Sequence, residues 1–163
     1  MTEQNQNHDL MKGIELLFFA YRDFISEADD VLKDYGFGRA HHRVLHFVRR
    51  NPGITVAELL SILQITKQSL GRVLRALVED GFIEQVTLKK DRRQRHLHLT
   101  ALGIDLHNQL LERQQQLMQR AYNACPPQDR EGFWHVLQEL ITKEGRDDVL
   151  RLVEKTPPAL SNN

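Results

Sequence analysis

Between Thr66 and Asp80 the chain reads TKQSLGRVLRALVED. Leu70, Val73, Leu74, Leu77 and Val78 recur at intervals that fall on one face of a helix turning 100° per residue, the face a core would cover. Gln68, Arg72 and Arg75 fall on the other side, Lys67 and Ser69 flank the helix start, and Thr66 stands where a capping hydroxyl is wanted. Fork-shaped donors at helical spacing suit the edges of bases in a major groove, where Arg grips guanine O6 and N7 and Gln grips adenine N6 and N7. A polar outer face is also what any surface helix has, so the helix alone decides nothing.

A second basic element follows it. Phe82 to Thr87 reads as a strand, Leu88 to Gln94 as a charged turn, and Arg95 to Thr100 alternates polar with apolar residues, which together predict a hairpin. Its tip carries Lys89, Lys90, Arg92, Arg93 and Arg95, with Asp91 the one acid among them. Arginines on such a tip fit a minor groove, where the potential is most negative. A carboxylate facing phosphate would weaken binding, so Asp91 is expected to shape the wing by pairing with Arg93 or capping the turn. His96 and His98 on the outgoing strand are expected to touch phosphate or water.

The charge distribution agrees. The 163 residues hold 22 Lys plus Arg against 22 Asp plus Glu, a formal net charge of zero. Residues 39–100 nevertheless hold twelve of the basic and five of the acidic side chains, a net of +7, leaving −7 for the remainder. A partner responds to the local field, so overall neutrality is no argument against a polyanion.

These groups need a frame. Leu10, Ile14, Leu17, Tyr21, Phe24, Ala28, Val31 and Tyr35 form one helical stripe that Gly36 and Gly38 end. A helix over Arg39–Arg50 ends at Asn51-Pro52-Gly53, and Thr55 with Glu58 makes a capping box for a short helix to Leu63. The helix beginning at Thr66 follows after a short turn and ends at Gly81, the arrangement of a helix-turn-helix. From Ala101 a long helix runs to Cys125-Pro126-Pro127, and a last stretch carries Phe133, Val136, Leu137, Leu140 and Ile141. The tail 156–163, with two prolines and a polar end, is expected to be disordered. The fold class is mostly α, with about six helices and a β-hairpin wing.

Other chemistries find little support. At 27% charged and 40% hydrophobic the composition is that of a globular protein of one domain. No apolar run approaches the roughly 20 residues of a membrane span, and the polar, acidic start does not suit a signal peptide, so a cytoplasmic protein without membrane association is expected. Cys125 is the one cysteine, which excludes an intrachain disulfide. There is no G-x-S-x-G elbow, no phosphate-cradling glycine loop and no H-E-x-x-H, so neither an enzyme nor a cofactor is expected.

The stretch from Asn51 to Gly103 resembles the winged helix-turn-helix of MarR-type transcription regulators. The resemblance rests on Pro52-Gly53-Ile54-Thr55, on Gln68-Ser69 with Arg72, and on Asp91-Arg92-Arg93 followed by Leu99-Thr100-x-x-Gly103. It implies a homodimer on a pseudo-palindromic double-stranded operator, with residues 9–35 and 101–154 as dimerisation helices and 39–100 as the DNA-binding lobe. Two long apolar stripes at the chain's two ends are independently what a dimer interface needs. The resemblance further implies a repressor released by a phenolic or other aromatic acid, with Phe18, Tyr21, Arg22, His41 and His42 as candidates for the ligand pocket. Two alternatives remain open. One is a zinc-responsive regulator, since His42 and His46 share a helix face and His107 is a further imidazole; no Asp or Glu lies near them on that helix, and no metal site is assigned. The other is a winged-helix module that binds protein.

Overall fold

In the computed structural model the structure describes the backbone of residues 3–88 and 91–155, and the side chains of 5–87 and 94–155. Eleven elements follow in order among them: α1 (Glu3–Ser26), α2 (Asp29–Asp34), α3 (Arg39–Arg50), β1 (Ile54–Thr55), α4 (Val56–Leu63), α5 (Lys67–Glu79), β2 (Ile83–Leu88), β3 (Asp91–Leu99), α6 (Ala101–Asn123), α7 (Pro127–Leu140) and α8 (Lys143–Glu154). The strands form one antiparallel sheet in the order β1-β3-β2.

Local chemistry sets the boundaries. At α4 the Thr55 hydroxyl accepts from the Glu58 amide at 3.3 Å, and the Glu58 carboxylate accepts from the Thr55 amide at 2.8 Å. These reciprocal bonds satisfy donors that a helix start leaves open, and they hold the Glu58 carboxyl below its ordinary pKa. Gln64 at φ 52° turns the chain out of α4, and Thr66 caps α5 by accepting from the Ser69 amide at 3.1 Å. Gly81 at φ 77° ends α5, a left-handed residue where a side chain would be strained.

Among the described residues eight helices stand where roughly six were expected, because the first stripe is broken and a further helix, α8, follows the last stretch read from the spacing. The first breaks after Ser26, whose hydroxyl donates to the Asp23 carbonyl at 2.9 Å. The break lets Ala28 and Leu32 turn into the core while the apolar residues of α1 stay outside it. The last stretch ends at Ile141 as read, and there the Arg146 guanidinium of α8 donates to the Glu139 and Ile141 carbonyls, both at 2.9 Å, and so satisfies what the helix end leaves free. Periodicity reports which face is apolar and is blind to a bend that keeps the face. The pairing of Ile54 with Leu97, which makes β1, was also not foreseen, being two residues long.

The core lies in the lobe. Leu45, Leu59, Leu70, Leu77, Ile83, Leu97, Leu106 and Leu110 are buried completely, drawn from α3, α4, α5, the sheet and the first half of α6. The start of α6 is pinned to the α5–β2 turn. The Thr100 hydroxyl donates to the Gly81 carbonyl at 2.6 Å and accepts from the Gly103 amide at 3.1 Å, while the Thr100 amide donates to the Phe82 carbonyl at 3.1 Å. A Cβ on Gly103 would lie 2.1 Å from that same Phe82 carbonyl oxygen.

Where α3 meets α6, His107 Nε2 lies 3.4 Å from His46 Nδ1, and His107 is almost wholly buried. Burial pushes both imidazoles down to about 4, helped by His42 and Arg50 at His46 and by His46, His42 and Arg49 at His107. Both are therefore neutral near pH 7.

Two stability experiments follow. Gly103→Ala should cost about 2 kcal/mol or more by chemical denaturation, since backbone blocks the methyl group, whereas Gly71→Ala, with open space around its Cβ position, should stabilise α5 by about 0.5 to 1 kcal/mol. Between pH 6.5 and 4 the unfolded chain binds protons at His46 and His107 that the folded chain refuses. Stability should therefore fall with pH across that window, at up to about 1.4 kcal/mol per pH unit for each group. Denaturant midpoints measured at pH 7.5 and 5 check this, and His107→Gln should flatten the difference.

Candidate nucleic-acid interface

The recognition helix is built as its sequence required. Leu70, Val73, Leu74 and Leu77 are buried, while Thr66, Lys67, Gln68, Ser69, Arg72 and Arg75 are all exposed along the outer side and first turn of α5. Thr66 is committed to the cap. Its hydroxyl donates to Ser69 Oγ at 2.9 Å while accepting from the Ser69 amide, so Thr66 arranges Ser69 before either meets a ligand. Thr66, Lys67, Gln68 and Ser69 lie at the positive end of the helix dipole, where the Lys67 and Gln68 amides have no acceptor within the helix.

The second part is the hairpin. β2 and β3 pair from Ile83 with Leu99 to Leu88 with Asp91, and the register shifts between Thr87 and Leu88, so the strands bend at the tip. Lys89 and Lys90, and the side chains of Asp91, Arg92 and Arg93, lie outside the described residues. Arg95 is described: it is exposed and donates from Nη1 to Gln85 Oε1 across the strands at 2.9 Å. That bond holds the guanidinium along the hairpin.

His96 differs from its expected place on phosphate or water. Its Nδ1 lies 2.8 Å from the Gly53 carbonyl, the geometry of an N–H donated to that oxygen, and it is half-buried. His98 is half-buried as well, and its ring lies 3.5 Å from where a Cβ of Gly53 would stand. Gly53, at φ 83°, donates its own amide to Leu97 O at 2.9 Å. These contacts tie the wing to the turn that starts α4, and alternation alone gave no sign of them, because β1 was too short to announce a neighbour for β3.

The ligand-pocket candidates are spread over separate environments. Phe18 is 68% exposed and Tyr21 57%. Arg22 is paired with Asp23 at 2.7 Å and lies over the Phe19 ring. His41 stacks on Phe37, and its Nδ1 accepts from the Gly38 amide at 3.1 Å. Burial lowers the pKa of both His41 and His42, against the pull of Asp80 on the first and Asp29 on the second. Among the described residues no hydrogen bond, ion pair or ring contact joins the α1 group to the two histidines. An open cavity of about 290 Å³ lies instead at the α1–α2 joint against α6, lined by Ser26, Glu27, Asp30, Val31 and Arg113. No group of three or more metal-ligating side chains occurs among the described residues, and no described helix is long and apolar enough to cross a membrane.

The comparisons with known proteins bear on the whole frame. The sequence profile of the MarR family matches residues 35–94, from the end of α2 to the wing. An HTH-type transcriptional regulator, PetP of Rhodobacter capsulatus, is 48% identical over 135 residues, covering 83% of this chain and 81% of that protein. Among solved structures, a MarR family transcription regulator superposes with a TM-score of 0.74 at 16% identity over 91% of this chain and 97% of that one. Another, a MarR regulator from Methanosarcina mazei, gives 0.65 at 22% identity over 80% and 93%. A Staphylococcus aureus MepR mutant bound to an oligodeoxyribonucleotide gives 0.56 at 19% over 77% and 93%. With the capped recognition helix, the hairpin wing and the flanking helices in this order, the chain belongs to the MarR family of transcription regulators.

Proposed function

We propose that the protein is a homodimer that binds a pseudo-palindromic double-stranded DNA operator, with α5 of each copy in a major groove and the wing tip over the adjoining minor groove. The observation that carries this reading is the α5 surface, where every side chain suited to base edges is exposed and the apolar ones are buried or half-buried. The net of +7 over residues 39–100 supplies the electrostatic attraction. In this reading Lys89, Lys90, Arg92 and Arg93 join Arg95 on the duplex, with Asp91 shaping the tip. The DNA-bound MepR relative is a precedent of the same fold.

The dimer is assigned to residues 9–35 and 101–154. Leu10, Ile14, Leu17 and Phe18 on α1 stand exposed, as do Phe133, Trp134 and Val136 on α7. A soluble monomer seldom leaves so much contiguous apolar surface in water, and a second copy covers it at no cost in new chemistry. Two copies would place their recognition helices about one helical turn of DNA, roughly 10 base pairs, apart. Bound there, the protein represses by occupying promoter DNA. A small aromatic acid near Phe18, Tyr21, Arg22, His41 and His42 releases it.

Selection of bound fragments from genomic DNA should return a palindrome; recovery of no enriched sequence counts against the reading. On that operator Arg72→Ala should lose about 1 to 3 kcal/mol of discrimination at one base pair, and equal weakening on every variant operator would make Arg72 a phosphate contact instead. Affinity should fall steeply with salt, by a log–log slope of about −0.9 for each phosphate neutralised. A panel of aromatic acids should raise the melting temperature and lower DNA affinity together, and a flat response in both measurements speaks against the effector.

A further inference from the structure

Arg50 ends α3, and its guanidinium is spent on the far end of the chain. Nη2 donates to the Lys155 carbonyl at 2.7 Å, the Leu152 carbonyl at 3.1 Å and the Val153 carbonyl at 3.4 Å, the acceptors that the last turn of α8 leaves open. The clamp is reciprocal: Lys155 Nζ donates to Asn51 Oδ1 at 3.0 Å, while Asn51 Nδ2 donates to Phe47 O at 3.1 Å inside α3. A cation at the negative end of a helix also meets a favourable dipole. The bonds between the end of α3 and the end of α8 join residues 102 to 105 positions apart.

The other end of α8 is equally anchored. Arg146 binds the Glu139 and Ile141 carbonyls and the Glu139 carboxylate, fixing α8 to α7. In turn α7 is fixed to the end of α6, since Trp134 Nε1 donates to the Tyr122 hydroxyl at 2.9 Å and Arg130 lies over the Tyr122 ring. The α6–α7–α8 arm therefore leaves the lobe at Thr100 and returns to it at Arg50. The point of return adjoins the Asn51-Pro52-Gly53 turn, which His96 and Leu97 of the wing also grip. Leu106, His107 and Leu110 already hold the first half of α6 against the lobe, and the clamp at Arg50 adds a second hold at the far end of the arm.

We infer that Arg50 is a positioning residue for DNA recognition: by clamping α8 to the end of α3 it fixes the lobe against the arm, and so fixes the half-site spacing that the dimer accepts. This rests on the proposed operator-binding dimer. It gives Arg50 no contact with DNA, which separates it from Arg72 and Arg75 on α5 and from the basic residues of the wing.

The test uses the full-length protein, the operator recovered by fragment selection, and copies of that operator with one base pair added or removed between its halves. The unaltered protein should lose on the order of tenfold in affinity on either altered spacing. Arg50→Ala should bind the parent operator within about threefold and narrow the spacing penalty to about threefold, and Arg50→Lys, which keeps the charge but not the fork, should behave as Arg50→Ala does. Val153→Pro, which distorts the accepting carbonyls at an exposed position and leaves the lobe untouched, should relax spacing likewise. Hydrogen exchange at residues 150–155 should speed up in all three variants. An unchanged spacing penalty in Arg50→Ala overturns the inference. So does uniform weakening in Arg50→Ala that Arg50→Lys restores, because that is the signature of a phosphate contact. If the unaltered protein selects no DNA, the operator reading itself fails. Unchanged exchange at 150–155 in Arg50→Ala would overturn the clamp even then.

Discussion

The close approach of α6 to the turn between α5 and β2 governs the geometry of everything outside the lobe. Thr100 bonds Gly81 and Phe82 on one side and caps α6 on the other, and Gly103 leaves no atom where a Cβ would meet the Phe82 carbonyl at 2.1 Å. Backbone against backbone is a stiff contact, because neither partner has a rotamer to yield. The direction in which α6 leaves the lobe is thereby tied to the end of the recognition helix. Whatever α6 carries, including α7 and α8, inherits that direction.

The same economy recurs along the chain. The Pro52-Gly53-Ile54-Thr55 segment turns at a positive φ, adds a two-residue strand to β3, and then caps α4 through Thr55 and Glu58. Each hydrogen bond contributes about 1 kcal/mol net. Their value lies in register: a wing gripped by His96 and Leu97 cannot slide relative to the helix-turn-helix. The paired strands of the hairpin and the α5 surface are thereby held in one unit, which suits reading two grooves at once.

Charge divides along the same lines as structure. The twelve basic residues of 39–100 are not equivalent: Arg39 forms a two-pronged bond to Asp29 that joins α3 to α2, Arg50 is held on α8, and Arg95 lies along the hairpin on Gln85. Lys67, Arg72 and Arg75 stand exposed on one helix. A net count over the lobe therefore overstates the groups free to meet phosphate. Which arginines are committed to the protein follows only from their neighbours in space.

The sequence by itself determined what depends on short range. Capping residues at Thr55 and Thr66, the stop at Gly81 and the buried and exposed faces of α5 could be read because each is decided by residues within about four positions of one another, and the hairpin because its two alternating strands are joined by a short turn. The bend after Ser26 was not legible, since periodicity survives a bend, and α8 was not separated from the chain that follows Ile141. The contacts of His96 with Gly53, His46 with His107 and Arg50 with the end of α8 span 43, 61 and as many as 105 positions. No spacing rule reaches that far, because the chain between two such residues leaves their meeting undetermined until the core has packed. Only the tertiary structure decided which histidines are kept neutral by burial and which arginine closes the arm onto the lobe.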